Sequence, residues 1–164
     1  MRRLPVLLLI IFLAGCRPQP TNTAEPTSLP STAAEAEQTL IEFFSSLHAK
    51  EYTGAVSFYG GSYETLQGNN PDLDPSDHAA LWARGCEVNG LQCLEVRTAT
   101  FVSVEVDTYI FQVEFNNPDG SLFVRGPCCG ADETEMPPVS EFEYRVSRNI
   151  DGKFVVMDLP PYIP

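Results

Sequence analysis

The sequence predicts an α+β domain, with helices in its first half and an antiparallel sheet in its second, from three observations. Apolar residues recur at helical spacing after Thr32. Asp74-Pro75 marks a further helical start, and beyond Cys93 the pattern changes to strict alternation. Helices followed by strands is the element order of the α+β class.

Thr32 and Glu35 stand at capping-box spacing, where a hydroxyl and a carboxylate each reach a free backbone N–H. Ala36, Leu40, Phe43, Phe44 and Leu47 then mark one helical face, so a first helix is expected over residues 33–49. Residues 51–59 give a shorter second helix, ended by Gly60-Gly61. Asp74 as N-cap, Pro75 at the first helical position and Asp77 beside the positive helix end start a third. Leu81 and Trp82 face the core in that reading, and Gly85 or Gly90 stops the helix. Tyr109, Phe111, Val113 and Phe115 alternate with Ile110, Gln112 and Glu114 as in a half-buried strand. Residues 116–120 (Asn-Asn-Pro-Asp-Gly) form a turn, and residues 121–125 are expected to return as its partner strand. Phe142, Tyr144 and Val146 make another inward stripe, and Asp151-Gly152 turns the chain into residues 153–158. An earlier strand covers residues 94–104, with its faces less cleanly separated.

The amino-terminal segment carries an address. Met1-Arg2-Arg3 gives a basic start, residues 4–13 are almost wholly apolar, and Leu13-Ala14-Gly15 leads into Cys16. A basic start, a short apolar run and a small-residue cleavage site describe a secretory signal peptide. The run is about half the ~20 residues that span a bilayer as a helix. Leu13-Ala14-Gly15-Cys16 resembles the lipobox of bacterial lipoproteins. That resemblance implies diacylglyceryl transfer to the Cys16 sulfur, cleavage before Cys16 and acylation of the new amino terminus. One acyl chain binds membranes marginally, whereas two or more anchor stably. The expected location is therefore extracytoplasmic, lipid-anchored in the cell membrane or an outer membrane.

Three regions follow: a signal peptide at 1–15, a lipidated cysteine and spacer at 16–33, and one domain at 34–164. The spacer holds four prolines among threonines and serines and no aromatic residue, so it reads as a Pro-rich tether. Without Arg2 and Arg3, eight basic residues face 22 acidic ones, a formal charge of −14. Such a chain repels phosphate backbones, which excludes nucleic acid as a partner. The charge also favours solubility and holds the domain off anionic headgroups.

Cys86, Cys93, Cys128 and Cys129 remain in the exported part, and oxidising surroundings permit disulfides in three connectivities. If three strands meander, Cys93 and Cys128 lie at opposite ends, roughly 20 Å apart at ~3.3 Å per residue. This favours Cys86–Cys93, a link across a short loop from helix to sheet, and leaves Cys128-Cys129 as a vicinal disulfide or a thiol pair. Connectivities crossing between the two pairs stay open. A redox-active reading of the cysteines has neither CxxC spacing nor a neighbouring base to support it. Residues 69–78 hold three carboxylates and His78, an oxygen-rich span compatible with calcium. The segment lacks the glycine and terminal glutamate of a calcium loop, and a turn with a capped helix accounts for its acids. His48 and His78 lie outside zinc-ligand spacing with the cysteines. No nucleophile elbow, phosphate-binding glycine loop or His-Glu-x-x-His helix occurs, so neither cofactor nor metal is expected. The acidic loop at 131–138 is solvated or forms a rim for a cationic partner.

Paired aromatics on helix one, the step Lys50-Glu51-Tyr52-Thr53-Gly54-Ala55, a third helix and meandering strands together resemble the nuclear transport factor 2-like fold. They are similar in particular to small bacterial lipoproteins carrying such a domain. The resemblance implies a curved sheet wrapped round the long helix as a cone, whose mouth holds a small molecule or meets a partner. Phe43, Phe44, Leu47, Tyr109, Phe111 and Phe142 are the side chains expected around that core or cavity. Some relatives of the fold are enzymes, among them ketosteroid isomerase and polyketide cyclases, with a base and an acid deep in the cone. Asp107 at a strand entrance, Tyr109 and Tyr144 are the counterparts available here, but the inward stripes supply no convincing base. The expected function is that of a non-enzymatic, membrane-anchored protein binding a small apolar ligand or an envelope protein. The alternatives are an isomerase- or cyclase-type enzyme and a purely structural scaffold. An apolar cavity, a cavity with a lone carboxylate, and a filled interior distinguish the three.

Overall fold

The computed structural model describes residues 31–164. The signal peptide, Cys16 and most of the spacer lie outside the described residues. Four helices come first: α1 (Ser31–His48), α2 (Tyr52–Phe58), α3 (Glu64–Asn69) and α4 (His78–Glu87). Four strands follow: β1 (Glu95–Glu105), β2 (Thr108–Asn116), β3 (Phe142–Arg148) and β4 (Phe154–Val156). They form one open antiparallel sheet in chain order, so the chain is α+β.

Helix α1 organises the core because Ala33, Ala36, Leu40, Phe43, Phe44 and Leu47 form one buried stripe along it. Its two phenylalanines divide the work. Phe44 packs edge-on against Phe115 and Tyr144 of the sheet, with centroids 4.8 and 5.0 Å away. Phe43 stacks on Tyr59 at 5.7 Å and meets Trp82 of α4 edge-on at 5.5 Å, tying the helices together. The helix begins at Ser31, earlier than its periodicity suggests, because Ala33 is already buried in the first turn. Thr32 therefore lies inside the helix and is no N-cap, and Glu35 points to Arg148, 3.8 Å away.

Helix α2 ends where the chain meets the sheet. The Gly60 N–H donates to the Val156 carbonyl at 2.9 Å, and a Cβ on Gly60 would overlap the Val155 side chain. Helix α3 carries no sequence expectation; Leu66 is its single buried residue, too few to display a period. The start of α4 is corrected from Asp74 to Asp77. Asp77 is the N-cap, its Oδ1 accepting from the Ala80 N–H at 3.0 Å. Asp74 instead closes a turn, its Oδ1 accepting from the Ser76 N–H and hydroxyl at 2.8 and 2.7 Å. Leu81 and Trp82 are buried as expected, while Gly85 lies within α4 and does not end it.

Strand β1 contains two register shifts, between Val96 and Thr98 and between Phe101 and Ser103. A bulge sets two residues opposite one and flips the alternation, which explains why this strand's faces blur in the sequence. Val106 (φ 56°) and Asp107 turn β1 into β2, whose Phe111, Val113 and Phe115 are buried. Residues 121–125 are not the partner strand of β2. They make single bridges, Asn116 to Leu122 and Arg125 to Val139. Beyond them Pro127 has no N–H to extend a ladder, and β3 takes the second edge of β2. The Asn149 side chain braces the β3–β4 turn, its Oδ1 accepting from the Asp151 and Lys153 N–H groups at 3.0 Å each.

Candidate functional site

The direction of α1 gives the domain two distinct ends. Ser31, where the spacer joins, lies at the end marked by the Glu35–Arg148 pair and the β3–β4 turn. Eighteen helical residues later, about 27 Å along the axis at ~1.5 Å per residue, His48 marks the other end. There its ring Nδ1–H donates to the Cys93 carbonyl at 3.3 Å, just before β1 begins. Three cavities gather at this tether-distal end, linked by shared residues, while a separate one of about 400 Å³ lies at the tether end between Glu35, Arg148, Lys153 and Phe154. Leu91 lines the first and second, and Tyr162 the second and third. Leu91 and Tyr162 are themselves joined as a β-bridge.

The first cavity, about 500 Å³, is walled by the Cys86–Cys93 link, Val88, Gln92, Lys50, Tyr52 and Glu87. Cys86 lies in the last turn of α4 and Cys93 precedes β1, with alpha carbons 5.6 Å apart, and the two are bonded. This is the pairing the sequence favours, although one premise behind it fails. Residues 126–129 share a cavity wall with residues 162–164, and Tyr162 pairs with Leu91, so Cys128 and Cys93 belong to the same end of the domain. At the rim Glu87 accepts from the Tyr52 hydroxyl at 3.1 Å and meets Lys50 at 3.2 Å. Burial first, then the hydrogen bond and charge of Glu87, push the Tyr52 phenol up to about 12. Hydrogen bonding by Lys50 and Tyr52 holds the Glu87 carboxyl below its usual range.

The third cavity, about 440 Å³, is lined by Arg125, Cys128, Cys129, Met136 and the carboxy-terminal residues 162–164. Cys128 and Cys129 are free thiols with sulfurs 2.9 Å apart, Cys129 exposed and Cys128 half-buried. Cys129 takes a left-handed backbone (φ 61°), and the Ala131 N–H donates to the Cys128 carbonyl, closing a tight turn at 3.0 Å. The second cavity, about 340 Å³, lies between α3 and residues 159–162.

The six side chains expected around the core or a cavity belong to the core. Phe43, Phe44, Leu47 and Phe111 are fully buried, and Tyr109 and Phe142 pack partly buried against the same core. Of these six, only Leu47 touches any of the three distal cavities. The interior is filled where they meet. Asp107 is exposed in the β1–β2 turn. Tyr144 is buried against Phe44 and Phe115, and burial raises its phenol well above the usual value. Asp72, Asp74 and Asp77 are committed to Arg84, Ser76 and Ala80 respectively. His78 stacks on Tyr63 with centroids 3.7 Å apart. Among the described residues no group of three His, Cys, Asp or Glu side chains converges as a metal site, and no helix is long and apolar enough to cross a membrane.

Sequence reasoning missed the carboxy-terminal strap. Residues 159–164 line two of the cavities, and their placement depends on Gly90 (φ 82°), where a Cβ would strike the Ile163 carbonyl. That glycine is the one signal available, and alone it does not say what approaches it. The chain matches no protein-family model and no curated protein.

Proposed function

We propose that this chain is a lipid-anchored extracytoplasmic protein without enzymatic activity. Its α+β domain, of the nuclear transport factor 2-like cone type, presents its tether-distal end to a small apolar ligand or an envelope protein. The observation that carries the reading is the joining of three cavities at one end of the domain, whereas the cavity at the tether end shares no lining residue with them. The spacer enters at Ser31, and the three linked cavities lie at the opposite end, beyond His48 and Cys93. A tether at one end leaves the other free to meet a partner. The address rests on the lipobox-like quartet ending at Cys16, and the bonded Cys86–Cys93 pair is compatible with oxidising surroundings.

The filled interior also supports the structural-scaffold reading, because it moves any binding from the cone to the surface. Photo-crosslinking in cells separates the two. A photoreactive residue at Val88, 70% exposed beside the first cavity, is expected to capture a partner or ligand. The same residue at Ile150, fully exposed at the tether end, is expected to capture none. Equal capture at both sites, or none at either, refutes distal binding and leaves the scaffold.

A further inference from the structure

The Cys86–Cys93 link is complete, whereas the other two cysteines stand side by side and unbonded on the surface. Their sulfurs lie 2.9 Å apart, that of Cys129 in an exposed residue, in a turn whose second cysteine already has a left-handed backbone. We propose that Cys128 and Cys129 form a reversible thiol–disulfide exchange site, whose substrates are small or protein disulfides that reach the third cavity.

The chemistry balances within the pair and its substrate. The Cys129 thiolate attacks one sulfur of an external disulfide. That S–S bond breaks, a mixed disulfide forms on Cys129, and the first thiolate leaves and takes up a proton. The Cys128 thiolate then attacks the Cys129 sulfur, releases the second external thiol and closes the Cys128–Cys129 ring. The protein loses two thiol hydrogens, and the external disulfide becomes two thiols. Exposure makes Cys129 the attacking sulfur. Cys128 is the resolving one: its hydrogen bond with Cys129, ahead of slight desolvation, raises its proton affinity, and the Arg125 charge opposes that rise.

Reversibility follows from geometry. Neighbouring alpha carbons on a trans peptide are ~3.8 Å apart, closer than the ~4.4–6.8 Å of an ordinary disulfide, and departures of this kind make the bond easier to reduce. Strained and exposed disulfides are the labile ones. Cys86 and Cys93, at 5.6 Å, sit inside the ordinary range and belong to the structural class. The extracytoplasmic reading supplies the oxidant in cells, but the exchange itself does not depend on it.

Purified protein equilibrated with glutathione redox buffers tests the proposal. The tryptic peptide of residues 126–145 contains both thiols and neither Cys86 nor Cys93. With oxidised glutathione in excess, that peptide is expected to lose two hydrogen masses without retaining glutathione. It should regain them when reduced glutathione replaces the oxidant. Cys128→Ser is expected to trap glutathione on Cys129, because the resolving sulfur is gone. A wild-type peptide that stays a dithiol, keeps a lasting glutathione adduct, or forms links between chains overturns the proposal. So does a ring that reduced glutathione leaves intact.

Discussion

Replacing Cys86 and Cys93 together by alanine removes the link that fastens the end of α4 to the start of β1. The bond joins residues seven apart in sequence, so it closes a short loop and restrains the unfolded chain only modestly. For a loop of that length, chain entropy gives about 2.4 kcal/mol at 25 °C. Spread over a domain of this size, such a loss lowers the melting temperature by about 10 °C. Both cysteines are packed against the core rather than inside it, so cavity formation adds little to the entropic figure. Calorimetry of the wild type and of the double variant, each with and without reductant, measures the effect. The double variant should melt about 10 °C lower, reductant should bring the wild type down to it, and the variant should not respond further. Equal melting of the two oxidised proteins would falsify the assignment of this pair as a structural clamp.

Other consequences are accessible to the same preparations. Phe44→Ala empties the junction between α1, Phe115 and Tyr144 and is expected to cost about 3–5 kcal/mol in urea unfolding; a loss under about 1 kcal/mol would show that this aromatic cluster does not form. The Tyr52 phenol, pushed up to about 12 by burial and then by Glu87, makes stability depend on alkaline pH. Its folded value exceeds the unfolded ~10, so its contribution is complete below about pH 10 and is lost as pH rises from there to about 12. Tyr52→Phe should therefore flatten that limb of the stability profile measured by urea unfolding, and superimposable profiles would contradict the Tyr52–Glu87 contact.

Legibility in the sequence followed the number of residues that state the same thing. Helix α1 and strand β2 were legible because five apolar side chains in the helix and four in the strand repeat one period, and the structure turns those faces to the core. Helix α3 was not, since Leu66 alone anchors it. The start of α4 was misplaced by three residues because Asp74 and Asp77 are chemically equivalent caps. Only the turn that Asp74 closes with Ser76 tells them apart. The strand expected at 121–125 failed for a tertiary reason: β3 occupies the edge of β2 that this segment needed. The Cys86–Cys93 pairing came out right although the strand register used to favour it did not hold, since Cys93 and Cys128 lie at the same end. The site was less legible, because two of the three distal cavities are lined by a strap of residues 159–164 that carries no period. Its partners lie about 70 positions away in the chain, as Leu91 and Tyr162 do.

The central claim is that a lipid on one sulfur holds this acidic domain outside the cytoplasm with its three linked cavities turned away from the membrane. Intact mass spectrometry of the protein extracted from membranes tests it most directly. A chain beginning at Cys16, heavier by a diacylglyceryl group and an amino-terminal acyl chain, is the predicted species, and Cys16→Ser should abolish it. A chain that retains Met1 with Cys16 unmodified would contradict the account.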